Sequence, residues 1–187
     1  MAFFAVQWAV LIVGFVVHLL LDRSPLRRTS GRVVALALLW VVVGNGAFLL
    51  LGGLAHIGPG ADTVAASIGY APSMFQWEVG WADIAFGVLG IACTWTVNRG
   101  GWLTATVVGT SVALAGDGIG HIMQLVAHGN TAPGNVLALP SDFVIAALMV
   151  VLLVLYRRRG ATTGACHLRP PGIQRAPPRK SGPSGFD

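Results

Sequence analysis

Apolar residues run along this chain in long blocks, broken by short polar stretches. Five blocks stand out: Phe3–Leu21, Val33–Leu54, Ser73–Val97, Trp102–Val126 and Ser141–Tyr156. A hydrocarbon core about 30 Å thick is crossed by about 20 mostly apolar residues in a helix. The pattern therefore predicts an all-α integral membrane bundle of five transmembrane helices, four of which could form its core. Residues 1–156 make up this domain. Residues 157–187, rich in Pro, Gly and Arg with few large apolar side chains, read as a disordered basic tail. The first block has no basic residues before it and no small-x-small site before Asp22, so it reads as a span rather than a signal peptide.

The polar breaks set an orientation. Arg23, Arg27, Arg28 and Arg32 follow the first block, Arg99 lies between the third and fourth, and every other Lys or Arg follows the fifth. Segments 55–72 and 127–140 contain none. Five spans thus put all basic residues on one side, which the positive-inside rule assigns to the cytoplasm, with the N-terminus outside. Trp77, Trp81, Trp95, Trp102 and Tyr156 fall near span ends, at the headgroup level such rings favour. The turn Asn98–Gly101 predicts an antiparallel hairpin of spans three and four. In segment 55–72, Asp62 is expected to cap a short surface helix through Ile68, and Ser73 with Gln76 reads as a capping box opening span three.

Composition agrees with the pattern. Hydrophobic residues are 55% of the chain, charged residues only 10%, and mean hydropathy is +0.72. Soluble domains carry about a quarter charged residues. The net charge of +5 is segregated to one side and its tail, which points to anionic lipid at the inner leaflet of the plasma membrane rather than to nucleic acid. Cys93 and Cys166 lie in unlike surroundings and imply no disulfide.

Against this background the stretch Gly116–Ile122, "GDGIGHI", is unexpected. Asp117 lies about 22 Å along span four from Trp102, in the outer third. His121, four residues on, shares its face, and Thr110, Gln124 and His128 extend a polar stripe. Glu78 and Asp83 enter span three from the outside and stand about 140° apart around it. Asn45 in span two and Asp142 at the start of span five come to a similar depth, with His56 just beyond. Ionisable groups at such depth cost about 2.5–3.5 kcal/mol on insertion scales, so they are expected to face the bundle interior as partners. Small residues allow the helices to close around them: Gly80, Gly87 and Gly90 in span three, and Gly109, Ala113, Gly116 and Gly120 in span four.

Three readings fit this layer. Glu78, Asp83, Asp117 and His121 have the ligand chemistry of a transition-metal site, suited to Zn, Mn or non-haem Fe and hence to a redox-associated role. The same acids suit proton-coupled solute transport. Alternatively the layer, with Asn45, Gln76, Gln124 and Asp142, is a hydrogen-bond network in a subunit of a larger membrane complex. His18 and Asp22 read as a local surface pair, and His56 and His128 as exposed or accessory groups.

The stretches "FQWEVGWADIAFGVLG" (75–90), "GDGIGHI" (116–122) and "GNTAPGN" (129–135) resemble a domain-of-unknown-function family of small bacterial integral membrane proteins, over about residues 73–156. The resemblance implies special roles for Gln76, Glu78, Gly80, His121, Pro133, Gly134 and Asn135. Asp83 stands where that pattern has an amide, and Asp117 is additional to it. More loosely, the architecture is similar to DoxX-like membrane proteins, through small helical hairpins with a buried acid.

Overall fold

The computed structural model describes residues 2–167, with side chains through residue 159. All its regular structure is helical. Helix α1 is Ala2–Leu21, α2 is Ser30–Leu39 and α3 is Asn45–Ile57, with the π-helical turn Trp40–Gly44 joining α2 to α3. Helices α4 (Ala61–Ser67), α5 (Phe75–Ala92), α6 (Gly101–His128) and α7 (Pro133–His167) follow.

Four helices are long and apolar enough to cross a membrane: Ala2–Leu21, the continuous helix Ser30–Ile57, Gly101–His128 and Pro133–Arg159. The fifth expected span, α5, is 18 residues long but carries Gln76, Glu78 and Asp83, and it stands outside that group. What holds it is glycine. A Cβ added at Gly53 would lie 2.5 Å from the Gly80 carbonyl oxygen, and one at Gly87 would lie 2.7 Å from the Leu50 amide nitrogen. At Gly90 it would meet the Val42 carbonyl at 2.8 Å. Gly46 packs on Gly87 and Gly90 while Gly53 packs on Gly80, so α3 and α5 run antiparallel with backbones in contact. In lipid, apolar burial gives helices no reason to associate, and such close packing takes over.

Helix α5 therefore rests mainly on α3, and α6 rests on α7. The expected hairpin of α5 and α6 is present, but these two meet only lightly. Trp102 Nε1 donates to the Leu89 carbonyl (3.1 Å), and the Phe86 ring lies 3.1 Å from where a Cβ on Gly109 would stand. The apolar core, including Leu38, Val42, Leu103, Val107, Ile145 and Met149, joins the two pairs toward the basic end. Helix α1 packs at the side, with Gly14 under the Trp40 ring and Leu11 against Gly44. The described basic side chains gather at one end: Arg157 Nη2 donates to Gly100 O (2.6 Å) and also to Thr104 Oγ1, tying the end of α7 to the α5–α6 turn.

Several local expectations are corrected. The last span begins at Pro133, not Ser141, because a proline at the first helical position has no amide hydrogen that would need a partner. The connection expected over 127–140 shrinks to the four residues between α6 and α7. The same helix runs on to His167, through the first residues of the expected tail, whose remainder lies outside the described residues. Ser73 makes no capping box, since Met74 precedes the first turn without a side-chain bond. Gly60, not Asp62, occupies the cap of α4. His18 and Asp22 are not hydrogen-bonded to each other: Trp40 Nε1 donates to His18 Nδ1 (3.1 Å), whereas Asp22 accepts from Arg32 Nε (2.8 Å) and Nη2 (3.0 Å).

That two-bond pair closes the turn between α1 and α2, helped by Ser24 N–H donating to Asp22 Oδ1 (3.1 Å). The Arg32 hydrogen bonds hold the Asp22 carboxyl at about 2, below its ordinary 3.8. A depressed folded-state pKa means that the pair's contribution is complete above the unfolded value and fades as pH falls toward 2. Thermal melts of Asp22→Asn beside the wild type in detergent should show a constant deficit above about pH 5 that closes as pH falls toward about 2. A deficit that persists unchanged at the acid limit would contradict this linkage.

Candidate functional site

Away from the basic end, α5 and α6 part, and a cavity of about 340 Å³ opens among α1, α3, α5, α6 and α7. Each wall contributes by register. Asn45 comes directly after the π-helical turn and is 1% exposed. Asp83 lies beside Gly52, where an added Cβ would stand 3.9 Å from its Oδ2. Asp117 and His121, one turn apart on α6, both line the cavity, as do Ser141 and Asp142 on α7. Tyr70 and Ile68, from the connection carrying α4, also line it.

Two histidines are held by side-chain amides. His56 Nδ1 lies 2.5 Å from Gln76 Oε1. His121 Nδ1 lies 2.7 Å from Asn135 Oδ1. Asn135 is fully buried, and its Nδ2 donates to the carbonyls of His121 (3.2 Å) and Asn130 (3.0 Å). Those two carbonyls fix which way the amide points, so its oxygen must accept from a protonated His121 Nδ1. In the neutral ring Nε2 is then the lone-pair nitrogen, and it lies 3.9 Å from Asp142 Oδ2. Tyr70 stands by the same imidazole, ring centroids 6.3 Å apart. Burial first, and the Asp117 charge second, push the Tyr70 phenol above its ordinary value, so it stays a neutral donor.

The loop below α7 explains the other motif residues. Asn130 Nδ2 donates to the Ile68 carbonyl (2.9 Å), and Gly69 has a left-handed φ of 74° beside that side chain. A Cβ on Gly134 would strike the Ser67 carbonyl at 2.5 Å. The segment 130–135 thus pins α4 over the cavity and sets His121 at once.

Of the residues expected in the polar layer, Asn45, Gln76, Asp83, Asp117, His121 and Asp142 share this cavity. Glu78 is exposed and does not line it, so the expected ligand set Glu78, Asp83, Asp117 and His121 is not brought together. Among the described residues, no three His, Cys, Asp or Glu side chains cluster as a metal ion would need. Gln124 also stands apart, its carbonyl closing the end of α6 by accepting from Asn130 N–H (3.1 Å). Thr110 is buried below the cavity, and His128 is exposed at the helix end. Gly116 and Gly120 were expected to pack against a neighbouring helix, but a Cβ on either would meet nothing within 4 Å. Both line the cavity instead.

Sequence reasoning missed Gln7, whose Nε2 donates to Asn45 Oδ1 (2.9 Å), and the bond from Trp8 Nε1 to Ser141 Oγ (3.1 Å). A lone amide inside the first apolar block was the available signal for Gln7.

The residues that line this cavity come from the first helix to the last, and a family model matches residues 1–162. It describes DUF6790, a family of unknown function. The chain belongs to that family. The match takes in α1 to α3, which the motifs alone had left to hydropathy, and carries nothing on the looser DoxX-like likeness. No curated protein and no solved structure matches the chain. In this DUF6790 chain, then, Gln76 and Asn135 hold histidines, Gly80 and Gly134 permit close backbone approach, and Pro133 starts α7.

Two outcomes follow from this geometry. Gly116→Ala and Gly120→Ala should each raise helix stability by about 0.5–1 kcal/mol, since the added methyl meets open space. Gly53→Ala should cost about 1–3 kcal/mol by driving α3 and α5 apart; melting of the three variants in one detergent tests the contrast. Nitrogen-15 spectra of histidine-labelled protein near pH 8 should show His121 as the Nδ1–H tautomer, and Asn135→Leu should abolish that preference.

Proposed function

We propose that this chain is a five-span plasma-membrane protein, N-terminus outside, whose outer half holds a binding chamber for a small amphiphilic amine, exchanged against protons. One observation carries the reading. Asp83, Asp117 and Asp142 line a single cavity that has no Lys or Arg among its lining residues. The rest of the lining is largely apolar and aromatic, with Phe3, Phe4, Phe48, Phe75 and Tyr70. Two imidazoles, His56 and His121, line the same cavity. Three acids against two imidazoles leave at least one negative charge to be balanced by a proton or by a cationic ligand, and aromatic faces favour an ammonium group. At about 340 Å³ the chamber falls within the range of small-molecule sites.

Five spans and this orientation are supported by the gathering of Arg23, Arg27, Arg28, Arg32, Arg99 and Arg157 in loops and helix ends away from the cavity. The same residues suit that end to an anionic leaflet. A bound metal ion is a weaker reading of the chamber, because Glu78 stands outside it and the remaining groups form no ligand cluster. A purely structural subunit is weaker too, because Gly116 and Gly120 leave space where packing would fill it.

Calorimetry on nanodisc-reconstituted protein tests the reading with hexylamine beside hexanol, which matches it in shape without the charge. Hexylamine should bind at least about ten-fold tighter than hexanol, and Asp117→Asn with Asp142→Asn should remove that advantage. Equal binding of the two, or one equivalent of transition metal in purified protein that excludes hexylamine, would overturn it.

A further inference from the structure

We infer that Gln7 and Asn45 form a second recognition point in the chamber, selecting a ligand that carries a neutral carboxamide as well as its amine. The inference rests on the amine-chamber reading and adds the class of ligand to it. Gln7 is 5% exposed and Asn45 1% exposed, and both line the cavity. Their single mutual bond, Gln7 Nε2 to Asn45 Oδ1 at 2.9 Å, leaves Gln7 Oε1 and Asn45 Nδ2 buried without a partner. An acceptor and a donor are therefore left unmet on two side chains that line the chamber, and a turn of either amide about its last torsion presents them to its contents.

This pattern does not depend on how the two amides are oriented. Turning both over still makes one bond between them and still leaves one donor and one acceptor. The neighbouring lining residues Phe3, Phe4, Phe48 and Leu49 offer no hydrogen bond to either. Holding α1 to α3 needs only the bond already made, so two further unmet groups are a cost that packing alone does not explain. A group with its own adjacent acceptor and donor meets both at once, as a primary carboxamide does. A carboxylate would offer no donor and would add a fourth negative charge to Asp83, Asp117 and Asp142. The amide pair lies on α1 and α3 and the acids on α5, α6 and α7, so a ligand with an amine and an amide at its two ends engages both sets.

The full chain in nanodiscs is titrated near neutral pH with hexylamine and with its terminal carboxamide, aminohexanamide. The wild type should bind the carboxamide at least about ten-fold tighter. Gln7→Leu with Asn45→Leu should bring the two affinities within about two-fold of each other. Equal affinity of the wild type for both ligands overturns the inference and leaves the amine chamber standing. Failure of the wild type to bind either amine overturns the chamber itself. The wild-type comparison decides between these outcomes whether or not the double variant folds.

Discussion

The contact between the backbones of α3 and α5 is the constraint on which the rest of this molecule depends. Gly46 and Gly53 on one helix, and Gly80 and Gly87 on the other, are each seven residues apart, two turns along a single face. They let two helices approach until carbonyl oxygens and Cα atoms touch. Helix α5 carries three polar residues in its first three turns, so apolar character alone would hold it in a bilayer poorly. Locked to α3, it can keep Gln76 and Asp83 on the inner side of the bundle. Because α5 is committed to α3 it is only lightly held by α6, and the gap between them is the chamber.

The chamber in turn shows how a bundle accommodates charged side chains. Its walls mix carboxylates, amides and two imidazoles with aromatic rings, and each imidazole is oriented by an amide rather than by a carboxylate. An amide holds a ring without adding charge. The acids thus remain available to whatever enters, and His121 keeps its Nε2 toward Asp142. The basic groups are kept at the other end, where Arg32 and Arg157 make local bonds of their own.

Much of this was legible in the chain. Block lengths predicted the helices, and counting turns from the span ends brought Asn45, Asp83, Asp117, His121 and Asp142 to one depth; these five line one cavity. Depth is a one-dimensional property, and a linear pattern encodes it well. Facing is not. Glu78 lies at the right depth and points away, because five residues from Asp83 is neither one turn nor two. Gly116 and Gly120 look like packing devices, yet whether a glycine meets a neighbour or a void is decided by a helix distant in sequence. Likewise Asp22 has a neighbour one turn back in His18, yet its hydrogen-bond partner is Arg32, across a turn that only the fold closes. Gln7 carried no periodic signal at all. The start of α7 was hidden by its chemistry, since Gly, Asn, Thr and Pro read as loop while Pro133 is equally fit to begin a helix.

Helix α7 ties these parts together in one rigid register. Asn135, Ser141 and Asp142 serve the chamber, Ile145, Ala146, Met149 and Leu153 fill the core, and Arg157 fastens the far end. All lie on one helix, which runs through Pro140. Deleting or inserting a single residue between Asp142 and Ile145 would turn one set about 100° against the other, so that no rotation of the helix could satisfy both. The spacing from Asn135 to Arg157 thus acts as a fixed ruler between the chamber and the basic end of this chain.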